Sequence, residues 1–144
     1  VFADPGLNKP PKPEWEIESF DRLLALSDYI TFHVHLNAET KGMLSISKLE
    51  LLERKPFIIN VSRAEIIDRR AALHALQDDL IRGLAMDAHY DEPSKRQDPL
   101  FSFDNTLFSP HVAGSTRDSY VDTLRACSQN IRKALRGEPA EGGL

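Results

Sequence analysis

The sequence predicts an α/β fold built on a parallel β-sheet. Short apolar and β-branched runs bounded by turn residues are typical of strands, and segments with helical apolar spacing lie between them. The predicted strands of the sheet are Tyr29–Leu36, Phe57–Val61, Leu84–Met86 and Thr106–Ser109. Because strands alternate with helices along the chain, we expect a parallel sheet with helices on both faces.

The N-terminal segment is predicted to be extended. Val1-Phe2-Ala3 is typical of the end of a strand that Asp4 closes, and Pro5-Gly6 predicts a turn. The proline-rich run at residues 9–13 is incompatible with a helix and predicts an extended connector. Trp15–Glu18 is predicted to be a further short strand.

Two short helices are predicted before the second strand of the sheet. Phe20–Leu26 carries apolar residues at helical spacing. Ser47-Lys48-Leu49-Glu50 matches a capping box, in which the serine and the glutamate satisfy each other's backbone donors. We expect this helix to run to about Lys55, where Pro56 ends it.

Two longer helices follow. Asp68 is the predicted N-cap of a helix over Arg69–Asp79. Ser115 or Thr116 is predicted to cap a C-terminal helix that ends at Gly137. Its apolar stripe is Tyr120, Leu124, Cys127, Ile131 and Leu135. This spacing predicts that Cys127 is a buried structural thiol rather than a nucleophile.

Composition narrows the function classes. A chain of 144 residues with 41% hydrophobic residues is the size of one globular domain. The net charge of −4 argues against nucleic-acid binding, and no apolar run is long enough to span a membrane. One cysteine permits no internal disulfide, which favours a reducing, cytoplasmic location. The histidines and the cysteine have none of the usual zinc-ligand spacings, so we expect no metal site.

The segment FIINVSRAEIID, residues 57–68, carries the main functional prediction. Its unbroken apolar start is typical of a strand buried on both faces of a parallel sheet. The strand ends at Ser62-Arg63, which places a guanidinium at the edge of the sheet where ligands bind. One interpretation is that Arg63 binds a carboxylate. The alternative is a surface arginine that pairs with Glu65 or Asp68.

Arg63, Glu92 and His111 each follow a different predicted strand at its carboxyl end. This set suits hydride transfer to a carbonyl that lies beside a carboxylate. A guanidinium would bind the carboxylate and polarise the carbonyl, an imidazolium would donate the proton, and a carboxylate would orient the imidazole. Hydride would come from a nicotinamide cofactor.

Each member of the trio also has a structural interpretation. His111 after Pro110 is compatible with a loop histidine, and Glu92 before Pro93 with a solvated turn residue. Such polar residues are common at strand ends in this fold class. His33 and His35 alternate along their strand and are not predicted to be metal ligands.

The motifs resemble the NAD-binding domain of the D-isomer-specific 2-hydroxyacid dehydrogenases. The resemblance extends from Val1 to about Pro139 and depends on the order and spacing of several segments. These segments are VFADP, FDRLLALSDYITFHVHLNAETKG, INVSRAEIID, LAMDAHYDEP and LFSPHVAGST. It implies an NAD-dependent oxidoreductase that acts on a small 2-oxo or 2-hydroxy acid.

The resemblance also implies a role for individual residues. Arg63 would bind the substrate carboxylate, His111 would act as acid and base, and Glu92 would be the partner of the imidazole. Asp4 would bind the adenosine ribose and favour NAD over NADP. The other residues implied in cofactor binding are Val34, His35, Val61, Ser62, Asp87, Ala113 and Gly114.

The sequence departs from the family in a few places. His35 stands where the family usually has proline, and Asn37 where threonine is common. Ala64-Glu65 replaces a usual pair of glycines, which puts the backbone geometry after Arg63 in doubt. None of these changes removes a chemical group that the mechanism needs.

The larger departure is the absence of a G-x-G-x-x-G motif, because no two glycines are two residues apart. The expected fold is therefore an incomplete doubly wound, Rossmann-like sheet without its first strand and glycine-rich turn, so that residues 1–144 form the second half of an NAD-binding domain. The substrate domain is likewise expected to be absent.

Two interpretations of such a chain remain. One is a fragment that is inactive alone, and the other is a non-catalytic binding or dimerisation module. We expect the gap in the sheet to close locally or to be filled by a second chain, as a homodimer.

Overall fold

The computed structural model describes residues 1–4, 6–7 and 9–141. The chain divides into two compact units, one from Val1 to Pro110 and one that begins at His111. Pro5, half of the predicted Pro5-Gly6 turn, lies outside the described residues.

The first unit is built on a four-stranded parallel sheet, which confirms the predicted α/β fold. The strands are adjacent in sequence order: β1 (Tyr29–Phe32), β2 (Phe57–Asn60), β3 (Gly83–Met86) and β4 (Thr106–Phe108). β1 is half as long as predicted, so His33 and His35 follow the strand rather than alternate within it.

The hydrophobic core lies on one face of the sheet. Side chains alternate along the strands, and Ile30, Ile58 and Leu84 are among the buried ones. On the opposite face Tyr29 is 67% exposed and Leu107 is 71% exposed. The prediction that β2 is buried on both faces is therefore wrong, because Phe57 also lies on this exposed face. An apolar run alone does not reveal that one face of a sheet is uncovered.

The exposed face carries an aromatic pair and a close backbone contact. The rings of Tyr29 and Phe57 stack with centroids 5.4 Å apart. Gly83 lies beside this pair, and a Cβ there would be 2.8 Å from the carbonyl oxygen of Asn105 and 3.2 Å from the Phe57 ring. The absence of a side chain at position 83 therefore allows β3 to start this close to its neighbours.

The two helices before β2 differ in how well they were predicted. α1 spans Phe20–Leu26, as expected, and the Ser19 side chain accepts a hydrogen bond from the Arg22 N–H. α2 is only Ile46–Leu49, and its N-cap is Ser45. The predicted capping box is therefore wrong, because Ser47 lies inside the helix and its hydroxyl hydrogen-bonds to that of Ser45 at 3.0 Å.

α3 spans Arg69–Gln77 and begins as predicted. The Asp68 carboxylate accepts hydrogen bonds from the N–H groups of Arg70 and Ala71, at 2.9 and 3.0 Å. Its buried face is made mainly of alanine, the residue with the highest helix propensity. Between β2 and α3 the chain forms a 3₁₀ turn over Ala64–Ile66.

The N-terminal segment pairs with itself rather than with the sheet. Phe2 and Ile17 form an isolated parallel bridge. The Phe2 and Trp15 rings are in edge contact with centroids 5.8 Å apart, and the Lys12 ammonium lies 5.3 Å from the centre of the indole. Among the described residues β1 pairs only with β2, so the gap does not close locally.

The second unit contains one long helix, α4, over Arg117–Leu135. Thr116 is its N-cap, and Gly137 follows it with φ of 73°. Cys127 is exposed, so the prediction of a buried thiol is wrong. Lys133, in the last turn of α4, donates a hydrogen bond to the carboxylate of Glu141 beyond the helix and thereby lowers the pKa of that carboxylate.

Across the described part of the chain, every helix is too short or too polar to cross a membrane.

Candidate active site

The carboxyl ends of the four strands lie level with one another. Phe32 pairs with Asn60, Asn60 with Met86, and Met86 with Phe108. The segments that follow these residues therefore leave the sheet from the same edge, where ligands bind in open α/β folds. Most of the predicted site residues lie in these segments.

Asn60 shapes the turn that carries Arg63. Its side chain is fully buried, and its amide group donates a hydrogen bond to the Arg63 carbonyl at 2.8 Å. Its carbonyl oxygen accepts a hydrogen bond from the Ser62 N–H at 3.1 Å. One buried side chain thus satisfies a backbone donor and a backbone acceptor of the turn, which fixes where Arg63 leaves the sheet.

Arg63 is exposed, and its guanidinium donates a hydrogen bond to the Ser62 carbonyl at 2.9 Å. The carboxylate of Asp68, one of the two partners in the alternative interpretation, caps α3 instead. Ala64, where the family has glycine, is buried in the following 3₁₀ turn. The substitution is therefore accommodated without a left-handed backbone.

The segments after β1 and β2 are joined by a side-chain contact. The Ser62 hydroxyl donates to the Phe32 carbonyl at 3.0 Å. Val34 lies at the margin of the core, while His35 and Val61 are exposed. Three of the residues that the family resemblance implies in cofactor binding thus lie just past the ends of neighbouring strands: Val34, Val61 and Ser62.

The segment after β3 carries Glu92. Its carboxylate accepts a hydrogen bond from the backbone N–H of His89 at 3.0 Å. Asp87 is 4% exposed at the start of this segment, and its carboxylate accepts a hydrogen bond from the Ser109 hydroxyl at 2.6 Å. The Asp87 N–H donates to the Asn60 carbonyl, so the segments that carry Arg63 and Glu92 start side by side.

The His89 side chain connects this segment to the end of β4. Its Nε2 lies 3.0 Å from the Ser109 carbonyl. Because a carbonyl oxygen only accepts hydrogen bonds, Nε2 is the nitrogen that carries the hydrogen. The imidazole also contacts the rings of Phe101 and Phe108, with centroids 5.9 and 5.7 Å away.

The predicted trio is divided between the two units. Arg63 and Glu92 belong to the first unit, whereas His111 is the first residue of the second and has φ of 55°. Ala113 and Gly114 follow in the second unit, as exposed residues before the cap of α4.

Asp4 lies outside the four-stranded sheet, after the bridge that Phe2 forms with Ile17. It is exposed, and its carboxylate accepts a hydrogen bond from the Gly6 N–H at 2.9 Å. The predicted ribose-binding carboxylate therefore ends a separate N-terminal strand pair.

The roles of Asn60 and His89 are not predicted from the sequence. Asn60 was part of an apparent strand, and its signal was only a polar residue at the end of an apolar run. His89 lies in the segment after β3, and no spacing pattern around it points to its contacts. Within the described residues there is no group of three or more His, Cys, Asp or Glu side chains arranged to hold a metal ion.

Comparison with known proteins identifies similar sequences and folds. A family model described as D-isomer specific 2-hydroxyacid dehydrogenase, NAD binding domain, matches residues 3–113. The chain is 31% identical over 126 residues to a glyoxylate reductase of Thermofilum pendens, which covers 88% of this chain and 37% of that protein. It is 32% identical over 125 residues to a D-3-phosphoglycerate dehydrogenase of Methanocaldococcus jannaschii, and the match covers 87% of this chain and 24% of that protein.

A solved structure shows the same fold. It is a D-isomer specific 2-hydroxyacid dehydrogenase from Xanthobacter autotrophicus Py2 in complex with NADPH and MES. The TM-score is 0.77 at 29% identity, over 86% of this chain and 40% of that one. The chain thus spans well under half the length of these relatives.

Proposed function

This chain belongs to the D-isomer-specific 2-hydroxyacid dehydrogenase family, through its NAD-binding domain, and we propose that it serves hydride transfer between NAD(H) and a small 2-oxo or 2-hydroxy acid. The observation that carries the proposal is the level row of strand ends from which the segments with Arg63 and Glu92 emerge. Hydride transfer needs a cation for the substrate carboxylate and a proton donor for the forming alkoxide.

Arg63 is proposed to bind the substrate. The guanidinium is exposed at the edge of the sheet, and the turn that carries it is fixed by the buried Asn60 amide. Its planar donors match a carboxylate and would polarise the adjacent carbonyl. A fixed turn reduces the entropy lost when the substrate is bound.

His111 is proposed to donate the proton to the alkoxide and to take it back in the reverse reaction. Glu92 is proposed to support the protonated imidazole, because a neighbouring negative charge favours the charged form. The hydrogen bond from the His89 N–H holds the Glu92 carboxylate in a defined orientation, which suits this role.

The cofactor is proposed to be NAD, which accepts or supplies the hydride when bound. Asp4 is an exposed carboxylate able to accept hydrogen bonds from ribose hydroxyls. The other proposed contacts are Val34, His35, Val61, Ser62, Asp87, Ala113 and Gly114. Because the sequence has no G-x-G-x-x-G turn for the pyrophosphate, we propose that these residues alone bind NAD weakly and that the chain alone is inactive.

The first test is to titrate the chain with NADH and to measure binding by calorimetry. We expect measurable binding that weakens about tenfold in Asp4→Ala, the loss expected for a hydrogen bond to a charged group. Asp104→Ala is a control on an exposed carboxylate elsewhere in the first unit. Equal affinity of the wild type and Asp4→Ala would contradict the assignment of Asp4, and no binding up to millimolar NADH would contradict cofactor binding by this chain.

The second test is titration with glyoxylate, with and without NADH. We expect Arg63→Gln to abolish binding, while Arg70→Gln leaves it unchanged because Arg70 lies on the exposed face of α3. Glyoxylate affinity that is the same in all three proteins would contradict the assignment of Arg63.

A non-catalytic binding or dimerisation module is a second candidate. It is favoured by the unpaired edge of β1 among the described residues and by the exposed pair of Tyr29 and Phe57. The proposed partner is a second copy of this chain. Light scattering at micromolar concentration tests the dimer. A wild-type dimer that dissociates in Tyr29→Ser supports the module, and a wild-type monomer contradicts it.

The cytoplasmic location stays a prediction.

A further inference from the structure

We propose that Tyr90 and Arg69 are positioning residues that hold the Glu92 segment against the turn that carries Arg63. This inference rests on the proposed function, because it assigns a purpose to the relative placement of Arg63 and Glu92. The two side chains with their partners Ile67, Asp91 and Asp98 are called the Tyr90–Arg69 clamp here.

The first contact of the clamp is made by the Tyr90 hydroxyl. It donates a hydrogen bond to the Ile67 carbonyl at 2.9 Å. Ile67 is buried and directly follows the 3₁₀ turn after Arg63. The Ile67 N–H donates a hydrogen bond to the Ala64 carbonyl and so closes that turn. Tyr90 lies two positions before Glu92, and Ile67 ends the turn that begins directly after Arg63. The hydrogen bond from the Tyr90 hydroxyl therefore joins the Glu92 segment to the Arg63 turn.

The hydroxyl is well suited to remain a donor. Burial raises the pKa of Tyr90 well above its ordinary value, and the negative charge of Asp68 raises it further. The phenol therefore keeps its proton at a pH where an ordinary tyrosine has released it. A replacement by phenylalanine would remove this one bond and keep the ring.

The second contact is made by Arg69, the first residue of α3. Its guanidinium lies 5.4 Å from the centre of the Tyr90 ring. One arm contacts the Asp98 carboxylate at 2.9 Å and the other the Asp91 carboxylate at 3.4 Å. The Asp98 side chain is only 9% exposed and also accepts a hydrogen bond from the Leu100 N–H, so it is a fixed anchor.

The clamp therefore holds the Glu92 segment on both sides. Tyr90 and Asp91 precede Glu92 and Asp98 follows it, and all three are bound to residues 67–69 of the chain. Contacts with the strands and strand ends hold the start of this segment, at Asp87 and His89. The planar guanidinium of Arg69 can bind two carboxylates and lie against an aromatic ring at the same time. A lysine ammonium lacks this geometry.

A purely stabilising role would affect the melting temperature but not the alignment of the two site segments. The experiment therefore compares ¹⁵N-labelled wild type with Tyr90→Phe by amide chemical shifts. We expect the amide signals of both Arg63 and Glu92 to shift in Tyr90→Phe. Tyr29→Phe is the matched control, because Tyr29 is exposed on the opposite face of the sheet, and we expect it to leave both signals in place.

A second pair of variants tests the guanidinium. Arg69→Gln should shift the same two signals, whereas Arg70→Gln, one residue further along α3, should not. Arg69→Lys should restore the signals only in part. An Arg63 amide signal that stays in place in both Tyr90→Phe and Arg69→Gln would overturn the proposal, because Glu92 lies only two residues from Tyr90 and can shift through the chain alone.

Titration of the same samples with glyoxylate separates the clamp from the proposed function. We expect Tyr90→Phe to weaken glyoxylate binding several-fold and Tyr29→Phe to leave it unchanged. If glyoxylate does not bind to the wild type, the proposed function fails, and the amide shifts alone still decide whether the clamp aligns the two segments. If glyoxylate binds equally to wild type and Tyr90→Phe, the clamp has no role in substrate positioning.

Discussion

The buried amide of Asn60 donates a hydrogen bond to the backbone carbonyl of Arg63 at 2.8 Å. A side chain at the end of a core strand thus determines how the proposed substrate-binding residue leaves the sheet. The same amide group accepts a hydrogen bond from the Ser62 N–H. The turn is therefore held from inside the protein, while the guanidinium at its tip is exposed.

Replacing Asn60 with alanine should destabilise the first unit. The variant leaves the Ser62 N–H without its partner and removes one of the two hydrogen bonds that the Arg63 carbonyl accepts, the other coming from the Ile66 N–H. We expect a cost of about 1–3 kcal/mol. Urea unfolding followed by circular dichroism measures the change. Asn105→Ala is the control, because the Asn105 side chain makes a single, exposed hydrogen bond, to the Arg82 carbonyl. Similar losses in the two variants would show that the buried turn contributes nothing special.

The cap of α3 gives a second prediction. Asp68→Ala removes a side chain that accepts two backbone hydrogen bonds at the start of the helix. The expected loss in the free energy of unfolding is about 1 kcal/mol. Ser45→Ala at the start of α2 should have almost no effect, because Ser45 makes no side-chain cap bond. The prediction fails if the serine variant loses as much stability as the aspartate variant.

A third prediction concerns Gly83. The added Cβ of Gly83→Ala would lie 2.8 Å from the Asn105 carbonyl oxygen, so the backbone of two strands would have to move apart. We expect a loss of about 1–3 kcal/mol, as for other overpacked sites. Gly114→Ala is the matched control, since its added Cβ meets no atom within 4 Å. Thermal unfolding of both variants distinguishes them, and equal melting temperatures would argue against the steric explanation.

Tyr90 predicts how stability depends on pH. Its pKa is raised in the folded protein, chiefly by burial, so the folded state holds this proton at a pH where the unfolded chain has released it. Stability from this residue is complete below about pH 10 and falls above it, by about 1.4 kcal/mol per pH unit.

The measurement is urea unfolding between pH 9 and pH 11. Wild type should lose stability more steeply than Tyr90→Phe, because the phenylalanine variant has no proton to release at this position. All other ionisable groups are the same in the two proteins, so their contributions cancel in the comparison. Parallel slopes would refute the raised pKa.

Local signals were sufficient for part of the fold. α1 has the predicted bounds because its apolar spacing, its cap and its ends are all encoded within nine residues. Asp68 caps α3 as predicted for the same reason. The capping box at Ser47 failed because two serines lie close together, and the chain uses the earlier one as the cap.

The features that the sequence did not predict depend on contacts between distant segments. Phe57 belongs to an unbroken apolar run, yet it is on an uncovered face of the sheet, which only the arrangement of the other elements determines. The contact of Tyr90 with Ile67 spans 23 residues, and that of His89 with Ser109 spans 20. Spacing along the chain therefore located the carboxyl ends of β2, β3 and β4 to within one residue, but neither the end of β1 nor the side chains that join the segments.

The single tryptophan allows the bridge between Phe2 and Ile17 to be followed separately from the four-stranded sheet. Trp15 contacts Phe2 and Lys12, whereas the four-stranded sheet contains no indole. Intrinsic fluorescence excited at the indole will therefore record the environment of residues 1–18, while far-ultraviolet circular dichroism records the helices and strands. Two denaturation curves from one sample will show whether this outlying strand pair and the sheet unfold in a single cooperative transition.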